Sequence, residues 1–260
     1  MELGMPTLIE NNSLEDEAAL CQSLGLDFIE LNMNFPRYQL EDISDINYMS
    51  QVIKRYGIYY TIHLDENMNV CDFNNQVAKA YLDTVRSTIQ IAKCLKIPIL
   101  NMHMNEGVHV TLPHGKVMLF EQYKELYLAR MREFRDMCQK EIGKEAVMIS
   151  IENTTGYLPF QQEAIELLLE SEVFGLTWDI GHSHVTHNHD EAFLMAHENR
   201  LCHFHLHDAK EKQDHLAFGT GEVDIQQRIQ IAKRNQCHCV IETKTIEALK
   251  SSISGLARIL

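Results

Sequence analysis

Eight short apolar runs, separated by longer segments with one apolar face, restrict this 260-residue chain to very few folds. The runs predict strands at Glu2–Pro6, Phe28–Asn32, Tyr59–Leu64, Ile99–Met104, Val147–Glu152, Gly175–Asp179, Leu201–His207 and Cys239–Thr243. Their near-continuous apolar character suits a parallel sheet covered on both faces. Between them, helical periodicity runs over Asn75–Lys96, Phe120–Ile142, Phe160–Leu169, Ile225–Arg234 and Ile246–Ile259. A further helix begins at the capping signal Asn12-Ser13 and closes at Gly25. Strands alternating with helices make β-α units. With no Pro/Gly-rich boundary, the expectation is one α/β domain over residues 1–260, a (β/α)₈ barrel of ordinary size.

Composition narrows the classes of function. Hydrophobic residues at 45% and charged residues at 23% are those of a soluble globular protein. The opening Met-Glu-Leu-Gly-Met-Pro has no basic region leading into an apolar run, and no stretch approaches the ~20 apolar residues of a bilayer span. A cytoplasmic protein without membrane contact is expected. The formal charge of −14 opposes non-specific binding to a phosphate backbone. Seven cysteines show no paired spacing, and Cys237-His238-Cys239 reads as strand packing before it reads as a zinc motif.

The chemistry lies at the strand ends. His63 lies at the end region of the third predicted strand and His103 of the fourth, one residue before the last in each, and Glu152 ends the fifth. Asp179 ends the sixth with His182 just beyond it, the seventh carries His205 with His215 following, and Glu242 closes the eighth. In a (β/α)₈ barrel these ends meet on one face, where active sites of the fold sit. Unpaired acids and imidazoles sharing one mouth are costly to desolvate without a cation, and each residue type ligates zinc, manganese or magnesium. A divalent metal site follows. Other features have plainer readings: His203 and His238 as core or surface histidines, His184, His187 and His189 as a polar loop, Gly219 and Gly221 as a tight turn. Trp178 should face the helices by strand alternation. Phe35, Arg37 and Tyr38 lie in a loop able to hold a ligand.

The stretches Ile151-Glu152-Asn153-Thr154-Thr155-Gly156, Trp178-Asp179-Ile180-Gly181-His182, His205-Leu206-His207-Asp208 and Gly219-Thr220-Gly221-Glu222-Val223-Asp224 resemble motifs of the xylose isomerase-like TIM barrels. The likeness spans essentially the whole chain. That group includes sugar isomerases and epimerases, inosose dehydratases and the endonuclease IV nucleases (AP endonuclease family 2). For the epimerase branch, the resemblance implies one divalent ion (Zn²⁺ or Mn²⁺, else Mg²⁺ or Co²⁺) on Glu152, Asp179, His205 and Glu242. It implies proton transfer by Glu152 and Glu242 through a metal-stabilised enediolate, with His182 on a substrate oxygen. For the endonuclease IV branch, it implies three zinc ions on His63, His103, His182, His205, His215, Glu152, Asp179 and Glu242. That branch's remaining aspartate ligand falls on Gln213, and adjacent Asp214 would need a shifted loop to replace it.

Sugar chemistry ranks first for two reasons. A third zinc lacking the aspartate would have too few protein ligands. The loops after His63 and His103, Leu64-Asp65-Glu66-Asn67 and Met104-Asn105-Glu106, are acidic and without an aromatic wedge, unlike loops that enter a DNA groove. Nucleic acid is therefore the lesser partner. The epimerases often carry Arg where Glu211 stands, and neighbouring Lys210 is the expected anchor for substrate, beside His63, His103, His182 and His215. An acidic mouth favours a neutral sugar, keto-sugar or polyol over a sugar phosphate. His63 and His103 leave room for a second ion, giving one to two in all. A metal- or sugar-responsive binding module is disfavoured, since a sensor has no need of the paired acids Glu152 and Glu242. The resemblance further implies a homodimer or homotetramer.

Overall fold

In the computed structural model, which describes residues 1–259, eight parallel strands close into a barrel. The strands are Glu2–Pro6, Phe28–Asn32, Tyr59–His63, Ile99–His103, Met148–Glu152, Phe174–Asp179, Leu201–Leu206 and His238–Ile241. They are ordered around the barrel as in sequence, the last pairing with the first through Leu3 and Cys239. The apolar runs located every barrel strand to within two residues at either end. The ladder also outlasts the formal strands, because Leu64 N donates to Asn101 O at 2.9 Å and Glu242 N to Leu206 O at 2.9 Å. These extra bonds hold the residues at the rim as firmly as strand residues.

Helices cover the outside. Ser13 caps Leu14–Ser23 by accepting from Asp16 N, and Asn74 caps Asn75–Leu95 by accepting from Gln76 N. Pro159–Leu169, Ile225–Arg234 and Ile246–Ile259 complete the expected set. The segment expected to run unbroken over Phe120–Ile142 divides at Tyr123 into Leu119–Gln122 and Lys124–Ile142, since Tyr123 leaves helical geometry (ψ 43°). The short helices Leu40–Ile43, Ile180–Val185 and Glu191–Ala196 went unforeseen, and so did the longer Ile46–Tyr56, although its signals were present. Asp45 accepts from Tyr48 N at its start, and Gly57 ends it in the left-handed region at φ 67°. Two hairpins, His109–Leu112 with Gly115–Met118 and Asp208–Lys210 with Gln213–Leu216, rise from the face where the strands end. No described helix is long and apolar enough to cross a membrane.

The inside of the barrel departs from the apolar layers usual for the fold. Glu30, Thr61, Asn101, Ser150, Thr177 and His203 are all buried there. Thr177 Oγ1 lies 2.6 Å from both Asn101 Oδ1 and Ser150 Oγ, and Thr61 donates to Glu30 Oε2 at 3.0 Å. Buried polar groups are tolerable when bonded to one another. This network forms a polar floor beneath the mouth. Trp178 faces outward as expected, with its indole N–H on Ser183 Oγ and the Arg228 guanidinium 4.4 Å above its ring.

Candidate functional site

Glu152 stands at the centre of the mouth. Its strand alternates so that Ser150 and Glu152 point inward, and the polar floor meets it from below through Asn101 Nδ2, which donates to Oε2. Oε2 also faces His63 Nε2 at 3.4 Å and His103 Nε2 at 3.3 Å. The other oxygen, Oε1, faces His205 Nδ1 at 3.4 Å and His182 Nδ1 at 3.5 Å. One carboxylate thus separates two nests of ligand atoms. In the second nest Asp179 Oδ2 lies 3.7 Å from His205 Nδ1, and Glu242 Oε2 lies 2.9 Å from the same nitrogen.

The floor orients these groups. Glu30, only 2% exposed, places Oε1 2.8 Å from His205 Nε2 and Oε2 2.9 Å from His203 Nε2. The contact to His205 Nε2 is an ion-pair contact without hydrogen-bond alignment, so Glu30 sets negative charge behind a ring whose Nδ1 faces the mouth. Asp179 caps the short helix Ile180–Val185 by accepting from His182 N at 2.7 Å. That bond uses Oδ1 and sets His182 beside the nest.

Above lies a rim. A cavity of about 440 Å³ is lined by His63, His103, Glu152, His182, His215 and Glu242 together with Glu66, Asp214 and Lys244. Lys244 Nζ sits 2.7 Å from Glu242 Oε1, and His215 Nε2 3.5 Å from the same oxygen. Asp214 Oδ1 lies 2.9 Å from His215 Nδ1 and Oδ2 3.8 Å from His182 Nε2.

The charges are strongly interdependent. Burial pushes the Glu152 carboxyl up, but the charges of His205 and His103 outweigh it and hold the group well below the carboxylate range. Glu242 is held low against its burial by His205 and Lys244, and Asp179 by His182 and His207. Burial lowers the imidazoles, yet Glu152 raises His63 to about 9, and Asp179 with Glu152 raises His182 to about 10. His205 is raised well above its ordinary value against burial by Glu152, Glu242 and Glu30. Without another cation, protons must serve as counter-ions to the acids.

The donor set fits a divalent ion better than it fits protons. His205 Nδ1 and Glu242 Oε2 are buried and 2.9 Å apart, yet neither has a hydrogen-bond partner of acceptable geometry. His205 Nδ1 faces three carboxylate oxygens, Glu242 Oε2 at 2.9 Å, Glu152 Oε1 at 3.4 Å and Asp179 Oδ2 at 3.7 Å, a gathering that suits a shared cation. Ligand atoms of Glu152, Asp179 and His205 all lie within 4.8 Å of one another, as do those of His63, His103 and Glu152.

The family model described as "Xylose isomerase-like TIM barrel" matches residues 18–259. The chain belongs to that family. Among solved structures, this xylose isomerase-like barrel superposes on a D-tagatose 3-epimerase-like protein with TM-score 0.80 and 22% identity, covering 100% of this chain and 97% of the other. The IolI protein with a bound zinc atom gives TM-score 0.75 at 15% identity, covering 100% and 98%. The probable 3-DHS dehydratase AsbF from Bacillus anthracis gives 0.76 at 12%, covering 99% of each chain. Identities this low speak for the shared fold. No curated protein matches the chain in sequence.

Within this xylose isomerase-like barrel the predicted strand-end residues His63, His103, Glu152, Asp179, His182, His205, His215 and Glu242 come together at one mouth. Lys210 does not join them. It is exposed on the hairpin after the seventh strand, because the chain reverses at Glu211 (φ 54°) and turns it outward. Lys244 lines the cavity instead. Arg37 and Tyr38 do not face the cavity either: Arg37 donates to Asn11 O at 2.5 Å and Leu8 O at 3.0 Å, and Tyr38 is buried. His184, read as part of a loop, lies in the helix Ile180–Val185. Gly219 is left-handed at φ 82°, as a tight turn requires. Gly221 has another reason, since a Cβ there would come within 2.4 Å of Ala209 O and Asp208 Oδ1. Sequence reading missed Glu30, Asn101, His207 and Lys244. The signal for Glu30 was an acid inside the apolar run Phe28-Ile29-Glu30-Leu31; for Lys244 and His207 it was a position two residues beyond a predicted ligand.

Proposed function

We infer that the protein is a divalent-metal-dependent sugar isomerase or epimerase that moves a proton beside a substrate carbonyl. One observation carries this reading: two buried carboxylates, Glu152 and Glu242, converge on the same nitrogen of His205 at the base of a cavity of small-molecule size. Glu152, Asp179, His205 and Glu242 would hold the ion. When bound, a divalent cation supplies Lewis-acid polarisation of a carbonyl and its neighbouring hydroxyl.

The residues then act as follows. Glu152 or Glu242, both kept ionised by their cationic neighbours, takes the proton from the carbon next to the carbonyl. The C–H electron pair moves onto the carbonyl and leaves an enediolate. The opposite acid, or the same one, returns a proton to carbon. His182 at the rim donates to a substrate oxygen, and Lys244 anchors a hydroxyl. His63 and His103 would hold a second ion with Glu152, or bond substrate hydroxyls. Glu66 and Asp214 set negative charge against the single lining ammonium of Lys244, which favours a neutral ketose or polyol over a sugar phosphate.

A second reading, an endonuclease IV-like zinc phosphodiesterase acting on abasic-site DNA, is favoured by one observation. Asp214 lines the cavity between His182 and His215, near enough to stand in for the aspartate that Gln213 lacks. The acidic rim weighs against it. Metal-loaded protein incubated in D₂O with a panel of ketoses and inososes, and in parallel with duplex DNA bearing an abasic site, separates the two. Solvent deuterium at a sugar carbon is the expected result. Strand cleavage with no deuterium in any sugar would replace the first reading by the second.

A further inference from the structure

His207 lies two residues beyond His205 and inside the mouth, fully buried, yet the mechanism above gives it no role. Its Nε2 straddles the Asp179 carboxylate, 2.9 Å from Oδ1 and 3.0 Å from Oδ2. Its Nδ1 receives the backbone N–H of His215 at 2.8 Å and lies 3.4 Å from Asp208 O. A backbone N–H can only donate, so Nδ1 must be the acceptor and the proton of the ring sits on Nε2. With one nitrogen taken by an N–H and the other carrying a proton, His207 has no lone pair for an ion, despite standing within reach of His182 and His215.

Three features show that this placement is built. Gly181 faces the ring so closely that a Cβ there would sit 1.9 Å from His207 Cε1. Only glycine leaves room, which links the motif Asp179-Ile180-Gly181-His182 to His205-Leu206-His207-Asp208. His215 adopts a left-handed backbone at φ 55°, a conformation unfavourable for a residue with a side chain, and its N–H points at Nδ1. The two rings stack with centroids 4.3 Å apart and planes 7° apart.

We propose that His207 is a positioning residue: its Nε2–H holds the Asp179 carboxylate while its Nδ1 fixes the backbone of His215, so one ring sets a ligand acid on the sixth strand and a cavity histidine on the hairpin together. The inference rests on reading Asp179 as a metal ligand. Asp179 Oδ1 accepts from His182 N, and His207 Nε2 lies across both oxygens, so the carboxylate is held from behind while Oδ2 also faces His205 Nδ1 at 3.7 Å. Outer partners of this kind commonly govern ligand orientation.

Two substitutions divide the roles. In His207→Asn the amide oxygen stands near the Nδ1 position and keeps the acceptor for His215 N–H, but nothing reaches Asp179. In His207→Gln the amide nitrogen reaches Asp179 and the acceptor is lost. Titration with Co²⁺, read from its visible ligand-field band, is paired with hydrogen exchange at the His215 amide, on wild type, both variants and Asp179→Asn. We expect His207→Asn to lose about 10–100-fold in Co²⁺ affinity with a changed band and a protected His215 amide. His207→Gln should keep the band and affinity near wild type while the His215 amide exchanges faster. Wild-type affinity and band in His207→Asn would overturn the proposal. If that variant does not fold, His207→Gln decides alone, and loss of the band in folded His207→Gln would overturn it as well. A wild-type band that Asp179→Asn leaves unchanged would instead overturn the metal reading of Asp179, and this inference with it.

Discussion

The inner nest and the outer rim of the mouth are built from similar residues but in opposite ways. Glu152, Asp179, His205 and Glu242 sit on or just beyond strands, are buried, and are fixed from beneath by Glu30 and Asn101. His182, Asp214, His215 and Lys244 stand on a short helix, a hairpin and a loop, and are partly exposed to the cavity. The inner groups have few alternatives to their present positions. Asp214, His215 and Lys244 pair with each other and with Glu242, while His182 bridges from Asp214 to the inner acids Asp179 and Glu152. The contrast teaches where reaction and selection reside: chemistry needs groups placed in advance, whereas substrate choice can rest on side chains that rearrange.

Substitutions break the comparison in a graded order. Glu152→Gln removes the charge shared by both nests, so turnover in the deuterium assay should fall by about 10³-fold while circular dichroism keeps the wild-type form. Turnover near wild type would remove Glu152 from the mechanism. Glu30→Gln leaves every ligand in place and weakens the support beneath His205, together with the contacts to His203 and Thr61. Metal affinity should fall by about 10–100-fold, and an unchanged affinity would mean that the floor does not orient the nest.

Proton competition sharpens the same contrast. In the metal-free protein Glu152 holds His63 protonated to about 9 and helps hold His205 protonated well above its ordinary value, so an ion must displace those protons. Apparent metal affinity should therefore rise with pH, by up to about tenfold per unit for each proton displaced. The acids stay ionised throughout this range and do not offset the rise. By the same sign, these histidines bind protons more tightly folded than unfolded, so their contribution to the stability of the metal-free protein is lost as pH rises, for His63 through about 9. Isothermal titration across pH 6–10 tests the trend, and a flat profile would contradict it. The smallest effect belongs to the rim. Lys244→Met should raise KM about fivefold with kcat little changed, since an anchor that binds ground and transition states alike affects only KM. A loss confined to kcat would move Lys244 into the reacting set.

How far the sequence reached follows the same division. Strands and strand-end ligands were readable because a parallel barrel converts chain position into location: any residue at the end of a strand reaches the mouth. The supports were not. Glu30 resembles a residue within an apolar strand, and only the closed barrel carries it across to His203 and His205. Lys210 was misplaced because the hairpin reverses at Glu211, and no periodicity marks a left-handed residue that is not glycine. The helix Ile46–Tyr56 was overlooked although Asp45 and Gly57 bracket it and Ile46, Met49, Val52, Ile53 and Tyr56 recur at helical spacing, so it was as legible as the helices that were found.

Metal content tests the central claim most directly. Protein loaded with Zn²⁺ or Mn²⁺, freed of loose ions by gel filtration and analysed by inductively coupled plasma mass spectrometry, should retain one to two ions per chain. Asp179→Asn and Glu242→Gln should each lower that number. Wild-type protein that emerges with no retained ion would contradict the account, because acids and imidazoles gathered this tightly would then be held together by protons alone.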